Sequence, residues 1–308
     1  MHMKVRILVF LAVIAHFTLW TFEVSAHPGS GIFVDAEGQI YFTDTGEGVW
    51  KSDTKGTLRV FSKSALHWMA GSKEGHFARA PEKFEHFERI TPTGSMPVLL
   101  ICSEFPCAFG QDGNLYYADR SERTQIISRT PGGKESVLAG GRAQAPVFRT
   151  VTGIAAGPDH SLYIVDIDQE SGDHAVLKMA MNGKVSTFSS GFLNAYPRQQ
   201  SGRGDCCRGL AVDARGNVFV AGTDRRCVVK ITPQGKTSLA LQASSPWFPT
   251  GVTIFRDELY ALEYTDMPPG WNPEDRKGWV PRVRKVDRNG NASIVVTVPR
   301  QDAILRGK

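Results

Sequence analysis

Residues 207–241 read CRGLAVDARGNVFVAGTDRRCVVKITPQGKTSLAL. A Gly-led apolar run (GLAVD) is followed by a turn (ARGN), a second run (VFVAG), a polar turn (TDRR), a third run (CVVKIT), a Gly-bearing turn (PQG) and a fourth run. Runs rich in Val, Ile and Phe, bounded by Gly, Asp and Asn, are strand and hairpin signals. The stretch therefore predicts four short antiparallel strands joined by three turns. A lone meander of this kind leaves both faces in water, so the unit needs neighbours.

Working outward from it, five more copies align on the turn between the first two strands. They begin at Gly31, Trp68, Ala108, Gly153 and Gly251, and the copy from Trp68 is degenerate. The third turn gives a separate check, with Gly56, Gly94, Gly133, Gly183, Gly235 and Gly290 spaced 38 to 55 residues apart. Four strands per repeat at that period predict propeller blades, whose radial packing buries both faces of every sheet. The expectation is an all-β fold, a six-bladed β-propeller of four-stranded antiparallel blades, in one domain at 27–298 with a tail at 299–308. All four strands of the first and last blades fall in contiguous sequence, so closure is expected from blade-to-blade packing with no strand exchanged between the termini.

The chain opens on MHMKVR, an apolar run at 7–22, and then Val24, Ser25 and Ala26. A basic start, an apolar middle and small residues before a cut describe a secretory signal peptide at 1–26. The apolar run is shorter than the roughly 20 residues of a membrane-spanning helix, so cleavage is preferred over an anchor. The expected location is secreted or periplasmic, with no membrane association beyond the export signal. The full chain carries a net charge of +5 and loses only Lys4, Arg6 and Glu23 with the leader. Its Lys and Arg residues are interspersed with Asp and Glu, which argues against nucleic acid as a partner. An exported chain can keep cysteines oxidised. Cys102 and Cys107 bracket a span that can close as a small disulfide loop, and Cys227 is expected to pair with Cys206 or Cys207.

The stretches GIFVDAEGQIYFTDTGEGVWK, GLAVDARGNVFVAGTDRRCVVKITPQGK and GIAAGPDHSLYIVD resemble NHL repeats. Nearly the whole mature chain resembles exported bacterial NHL-repeat propellers and is more distantly similar to the gluconolactonase and senescence-marker superfamily. That likeness implies the six-bladed architecture. For the superfamily it also implies a divalent metal site near the channel mouth, built from acidic and Asn side chains that polarise a lactone carbonyl.

The alignment places one residue per blade just before the first strand, at the mouth of the axial channel: Ser30, His67, Phe105, Thr152, Arg208 and Thr250. This ring has no carboxylate, and one imidazole is too few for zinc, so the lactonase metal set does not carry over. It offers instead a cation, an imidazole and three hydroxyls, which suit an anion or a sugar. The competing reading pairs Arg208 with Asp205 or Asp224 and makes His67 structural. A second ring, Asp44, Pro81, Asp119, Asp166, Gly222 and Glu263, ends the second strands on the same face. Its acids are read mainly as turn caps, with Glu263, beside Tyr264 and Asp266, as a candidate base, metal ligand or ligand-binding residue.

Long loops gather on this face at 189–207 and 264–281, with Trp271 and Trp279 in the second of them as a candidate aromatic wall. His76 and His86 flank Arg79 and Glu82 in the irregular second copy and are read as surface groups; a metal cluster of His27, His67, His76 and His86 is a minor reading. No nucleophile elbow, zincin or phosphate-loop motif is present. The expected function is binding of a small polar or anionic molecule, or a protein partner, at the loop-rich mouth, with no cofactor. The alternative is a gluconolactonase-like hydrolase or lyase, which would need calcium or zinc for lactone hydrolysis.

Overall fold

The computed structural model describes residues 28–120, 123–141, 147–199, 207–267, 270 and 276–300. The signal peptide, Cys206, Asp205, Trp271 and the segment 301–308 lie outside the described residues. Six separate four-stranded antiparallel sheets follow one another along the chain, at 32–62, 68–102, 107–140, 150–190, 210–242 and 247–297. Their innermost strands are Ile32–Val34, Trp68–Ser72, Cys107–Phe109, Thr150–Ala156, Leu210–Val212 and Trp247–Phe255, and each contacts the next around a closed ring. The fold is the expected six-bladed propeller.

The core is divided among the blade interfaces. Phe42, Phe248, Tyr264, Trp279 and Val283 fill the seam between blades six and one. Val165, Val176, Val218 and Val229 fill that between blades four and five. The cluster between blades one and two is the smallest of the six, with Tyr41, Val49, Met69, Leu99 and Ile101 as its buried members. Period-2 alternation along each strand sends alternate side chains to the two neighbouring blades, which is why the strands read as almost continuous apolar runs.

Blade two departs from the meander. Its inner strand Trp68–Ser72 pairs with Val98–Cys102, which pairs with Phe87–Arg89, and Lys83–Phe84 lies outermost. The chain therefore runs from the axis straight to the rim and returns inward. Gly94 belongs to the loop between Phe87–Arg89 and Val98–Cys102, not to a turn before an outer strand. Pro81 likewise lies in the loop that leads outward, so the blade-two position in the second ring belongs to the Cys102 end of Val98–Cys102. The apolar run VLLIC is completely buried. Burial on both faces is available beside the inner strand and absent at the rim, and that difference gives VLLIC the second place.

The outer strands of the other five blades each shift register at the same point, opposite Val49/Trp50, Ile126/Ile127, Val176/Leu177, Val228/Val229 and Val283/Arg284. Such bulges twist an exposed edge and blunt its pairing with other chains.

Candidate functional site

The chain enters the propeller through residues 28–31, which are buried across the channel mouth. The Pro28 carbonyl accepts a hydrogen bond from Arg208 Nη1 of blade five at 3.1 Å, and the Gly29 carbonyl accepts one from the Thr250 hydroxyl of blade six at 2.7 Å. The N–H groups of Ser30 and Gly31 donate to the His67 carbonyl of blade two at 2.8 and 3.1 Å. Four of the six ring residues, Ser30, His67, Arg208 and Thr250, are thus tied together by this one strap. All six are buried, at 8% exposure or less.

Glycine follows the ring residue in four blades, after Ser30, Thr152, Arg208 and Thr250, and permits the close approach. A Cβ on Gly251 would lie 2.3 Å from the Ser30 carbonyl oxygen, and one on Gly153 would lie 2.6 Å from that of Arg208. The recurring pair of a polar residue and glycine is therefore the local signal for where two inner strands touch. Phe105 lacks that glycine and has another role. Its ring packs against His86 and Tyr117 at centroid distances of 4.9 and 6.0 Å, within the core between blades two and three.

His67 is held in one tautomer. Its Nδ1 lies 3.1 Å from the Ser103 carbonyl, which can only accept, so Nδ1 carries the proton and Nε2 is the basic nitrogen. Burial first, and then the charges of Arg208 and Arg276, push its pKa down to about 4 against the opposing pull of the Ser103 carbonyl. The ring is neutral at neutral pH. Among the described residues, the hydroxyl oxygens of Ser30 and Thr152 are buried without a hydrogen-bond partner. That is a costly state for a polar group unless water or a ligand satisfies it.

The acids of this face are already engaged. Asp44 accepts from Gly46 N–H at 2.9 Å and Trp50 Nε1 at 3.1 Å and is ion-paired with Arg300. Glu263 is 0% exposed, and its two oxygens face Arg282 Nε at 2.5 Å and Arg284 Nη1 at 3.5 Å, so the structure does not bring it to the mouth. Asp166 accepts from the Arg149 N–H at 2.9 Å, and Asp119 accepts from the Gln125 side chain at 3.0 Å. Asp224 lies 3.3 Å from Arg198 and 3.5 Å from Arg225. Among the described residues no three of His, Cys, Asp and Glu stand together in a way that could hold a metal ion. A calcium site needs several oxygen ligands and a zinc site three or four strong donors, so the residues present fit neither ion.

Two features of this face were not legible as site residues. Arg276, in the blade-six loop, is near enough to His67 to depress its basicity. Its signal in the sequence was only a basic residue in a long loop. Arg300 is buried and donates to the carbonyls of Lys277 and Trp279 as well as to Asp44. Trp279 is 1% exposed inside the core between blades six and one, so it forms no wall over the channel. His76 lies beside Gly113 of blade three, and His86 pairs with Glu104 at 3.1 Å and packs edge-on against the Phe105 ring.

The disulfide expectation needs correction. No disulfide links any two of Cys102, Cys107, Cys207 and Cys227, which are all buried. Burial raises the Cys102 and Cys107 thiols and pushes Cys227 up to about 12, as expected of sulfurs packed in apolar interfaces. A bridge to Cys206 lies outside the described residues.

No protein-family model and no curated protein matches the sequence. Solved structures do share the architecture. A streptogramin B lyase is 11% identical with a TM-score of 0.53, over 90% of this chain and 86% of its own. A catalytically inactive histidine-to-alanine variant of virginiamycin B lyase from Staphylococcus aureus, solved with quinupristin, is 12% identical with a TM-score of 0.52, over 91% and 87%. The PQQ-bound aldose sugar dehydrogenase from Streptomyces coelicolor is 14% identical with a TM-score of 0.52, over 80% and 90%. At these identities the likeness is one of fold.

Proposed function

We propose that this protein binds a small anionic or polar molecule at the channel mouth, in a secreted or periplasmic setting. Arg208 and Arg276 supply charge, and His67, Ser30 and Thr152 supply hydrogen-bonding groups. The observation that supports this most is the charge balance of the face. Asp44, Glu263, Asp224 and Asp266 each face an arginine, and two further guanidiniums, Arg208 and Arg276, lie close enough to His67 to lower its basicity. A guanidinium has five N–H donors in a fork suited to carboxylate or phosphate, and the Pro28 carbonyl takes one of those on Arg208. Thr250 and Glu263 are spent on structure and leave the ligand set. The test is a thermal-shift titration at low ionic strength with gluconate, phosphate and citrate, on the wild type and Arg276→Gln. A Tm rise that shrinks in the variant and with added salt is expected; no rise with any of the three would refute the reading.

One observation favours a second reading, a lyase. His67 has its basic nitrogen in a buried site beside two cations, an arrangement in which imidazole removes a proton and arginine stabilises the charge that develops. The streptogramin B and virginiamycin B lyases share the fold, and a histidine-to-alanine variant of the second is catalytically inactive. In an elimination from a hydroxy acid the C–H and C–O bonds break, a C=C bond forms and water leaves. New ultraviolet absorbance of an unsaturated acid in the wild type, absent in His67→Ala of retained fold, is the expected result; equal activity in both would sink it. Metal-dependent lactone hydrolysis remains the least supported alternative, for want of ligands among the described residues.

A further inference from the structure

Arg300 follows the last strand, Ala292–Thr297, and its side chain turns back to join the blade-six loop to blade one. The residue is buried, at 8% exposure. Its Nη1 donates to three carbonyls of the loop, those of Lys277, of Trp279 at 2.6 Å and, at the long limit of 3.5 Å, of Arg276. Its Nη2 is ion-paired with Asp44. Asp44 is fixed in turn, because it also accepts from Gly46 N–H at 2.9 Å and from Trp50 Nε1 at 3.1 Å.

Residues 276–278 form one turn of 3₁₀ helix. The last carbonyls of a helical turn have no partner within it, and here a guanidinium 21 to 24 residues further along the chain supplies the donors. Glycine at 46 lets the turn come this close. A Cβ there would lie 2.9 Å from the Arg276 carbonyl oxygen and 3.0 Å from Arg300 Nη2. The turn 276–278, the loop after Asp44 and residue 300 therefore meet at one point. A long arginine on an unanchored loop spreads its charge over many rotamers and backbone states; anchoring the carbonyls of 276, 277 and 279 sets where the charge of Arg276 acts. That charge reaches His67, as does that of Arg208, whereas Arg300 is not among the charges that lower the basicity of the ring.

We propose that Arg300 is the positioning residue of the mouth: it holds the turn that carries Arg276, so that closing the ring of blades and placing the mouth cation are one event. The inference deepens the mouth reading given above and rests on it for the role of Arg276. The coupling is reciprocal: an anion held by Arg276 draws the turn onto Arg300 and tightens the seam between blades six and one.

The test is an NMR titration of His67 in protein labelled in its imidazole rings, with the signal assigned from His67→Gln. Arg276→Gln is expected to raise the midpoint from its wild-type value of about 4, because a like charge that opposed protonation is gone. Arg300→Gln and Gly46→Ala are each expected to raise it by at least half as much, and neither is expected to add to Arg276→Gln in a double variant. Gly46→Ala keeps every charge and decides the matter should Arg300→Gln fail to fold. A midpoint that stays at the wild-type value in the folded variants, or that rises further in a double variant, would overturn the proposal. Calorimetry with phosphate separates this failure from that of the mouth reading. Phosphate binding that depends on Arg276 but not on Arg300 or Gly46 would leave the mouth reading standing without the positioning role, and binding unchanged in Arg276→Gln would remove both.

Discussion

His67 is buried neutral, and that state becomes unfavourable as pH falls. The unfolded chain takes a proton on this ring near the ordinary value of 6.5, while the folded chain holds it off until about 4. Below 6.5 the unfolded state binds more protons, so the stabilisation present above that pH is lost down to about 4. A shift of that size corresponds to about 3 kcal/mol. His174 is also depressed, by burial first, and acts in the same direction. His67→Gln is therefore expected to flatten the fall of Tm between pH 6.5 and 4 relative to the wild type; parallel curves would contradict the buried neutral ring. Gly251 belongs to the same scale. Gly251→Ala places a methyl 2.3 Å from the Ser30 carbonyl and is expected to destabilise by about 1–3 kcal/mol in chemical denaturation. The ring residues were legible because a repeat fixes position: the aligned residue falls at the start of the inner strand, just ahead of it at Ser30, His67 and Arg208 and within it at Thr152 and Thr250. Arg276 was not, because its loop has no counterpart in the other blades. Glu263 was legible as a position but not as a partner, since its arginines sit one strand away in space and 19 and 21 residues away in sequence.

Blade two shows what a repeat alignment cannot see. Hairpin punctuation and apolar runs predict strands, and all four are there, but order across a sheet depends on which run needs burial on both faces. The interval that placed Gly94 in the series was a coincidence of loop length. The observed order has a direct consequence for amide exchange. As a fourth strand, Val98–Cys102 would sit at the rim and exchange quickly. As the second strand, lying between Trp68–Ser72 and Phe87–Arg89, it is expected to exchange slowly, with Lys83–Phe84 among the fastest strand amides of the blade. Fast exchange across Val98–Cys102 measured by hydrogen–deuterium mass spectrometry would contradict the order. The cysteine expectation failed for a related reason. Sequence proximity set Cys102 near Cys107, but each ends or begins a strand whose packing directs the sulfur into an apolar interface.

Among the described residues, closure is made without an exchanged strand, as the contiguous first and last blades implied. The seam between blades six and one is held by the Phe248, Tyr264 and Trp279 core, by the Tyr264 hydroxyl donating to the Thr43 carbonyl at 2.5 Å, and by the Arg300–Asp44 pair. Asp44 is 0% and Arg300 8% exposed. Breaking a buried pair strands the remaining charge, at a cost of about 3–5 kcal/mol. Arg300→Ala is expected to lower stability by that order in urea denaturation; a change below about 1 kcal/mol would mean that the seam does not depend on it. The same face carries the functional claim, that two arginines around a neutral histidine make the mouth an anion site. Anomalous diffraction from crystals soaked in bromide tests it most directly. The expected result is a bromide peak at the Arg208 and Arg276 guanidinium groups, lost in Arg276→Gln; bromide peaks elsewhere on the surface with none at the mouth would contradict it.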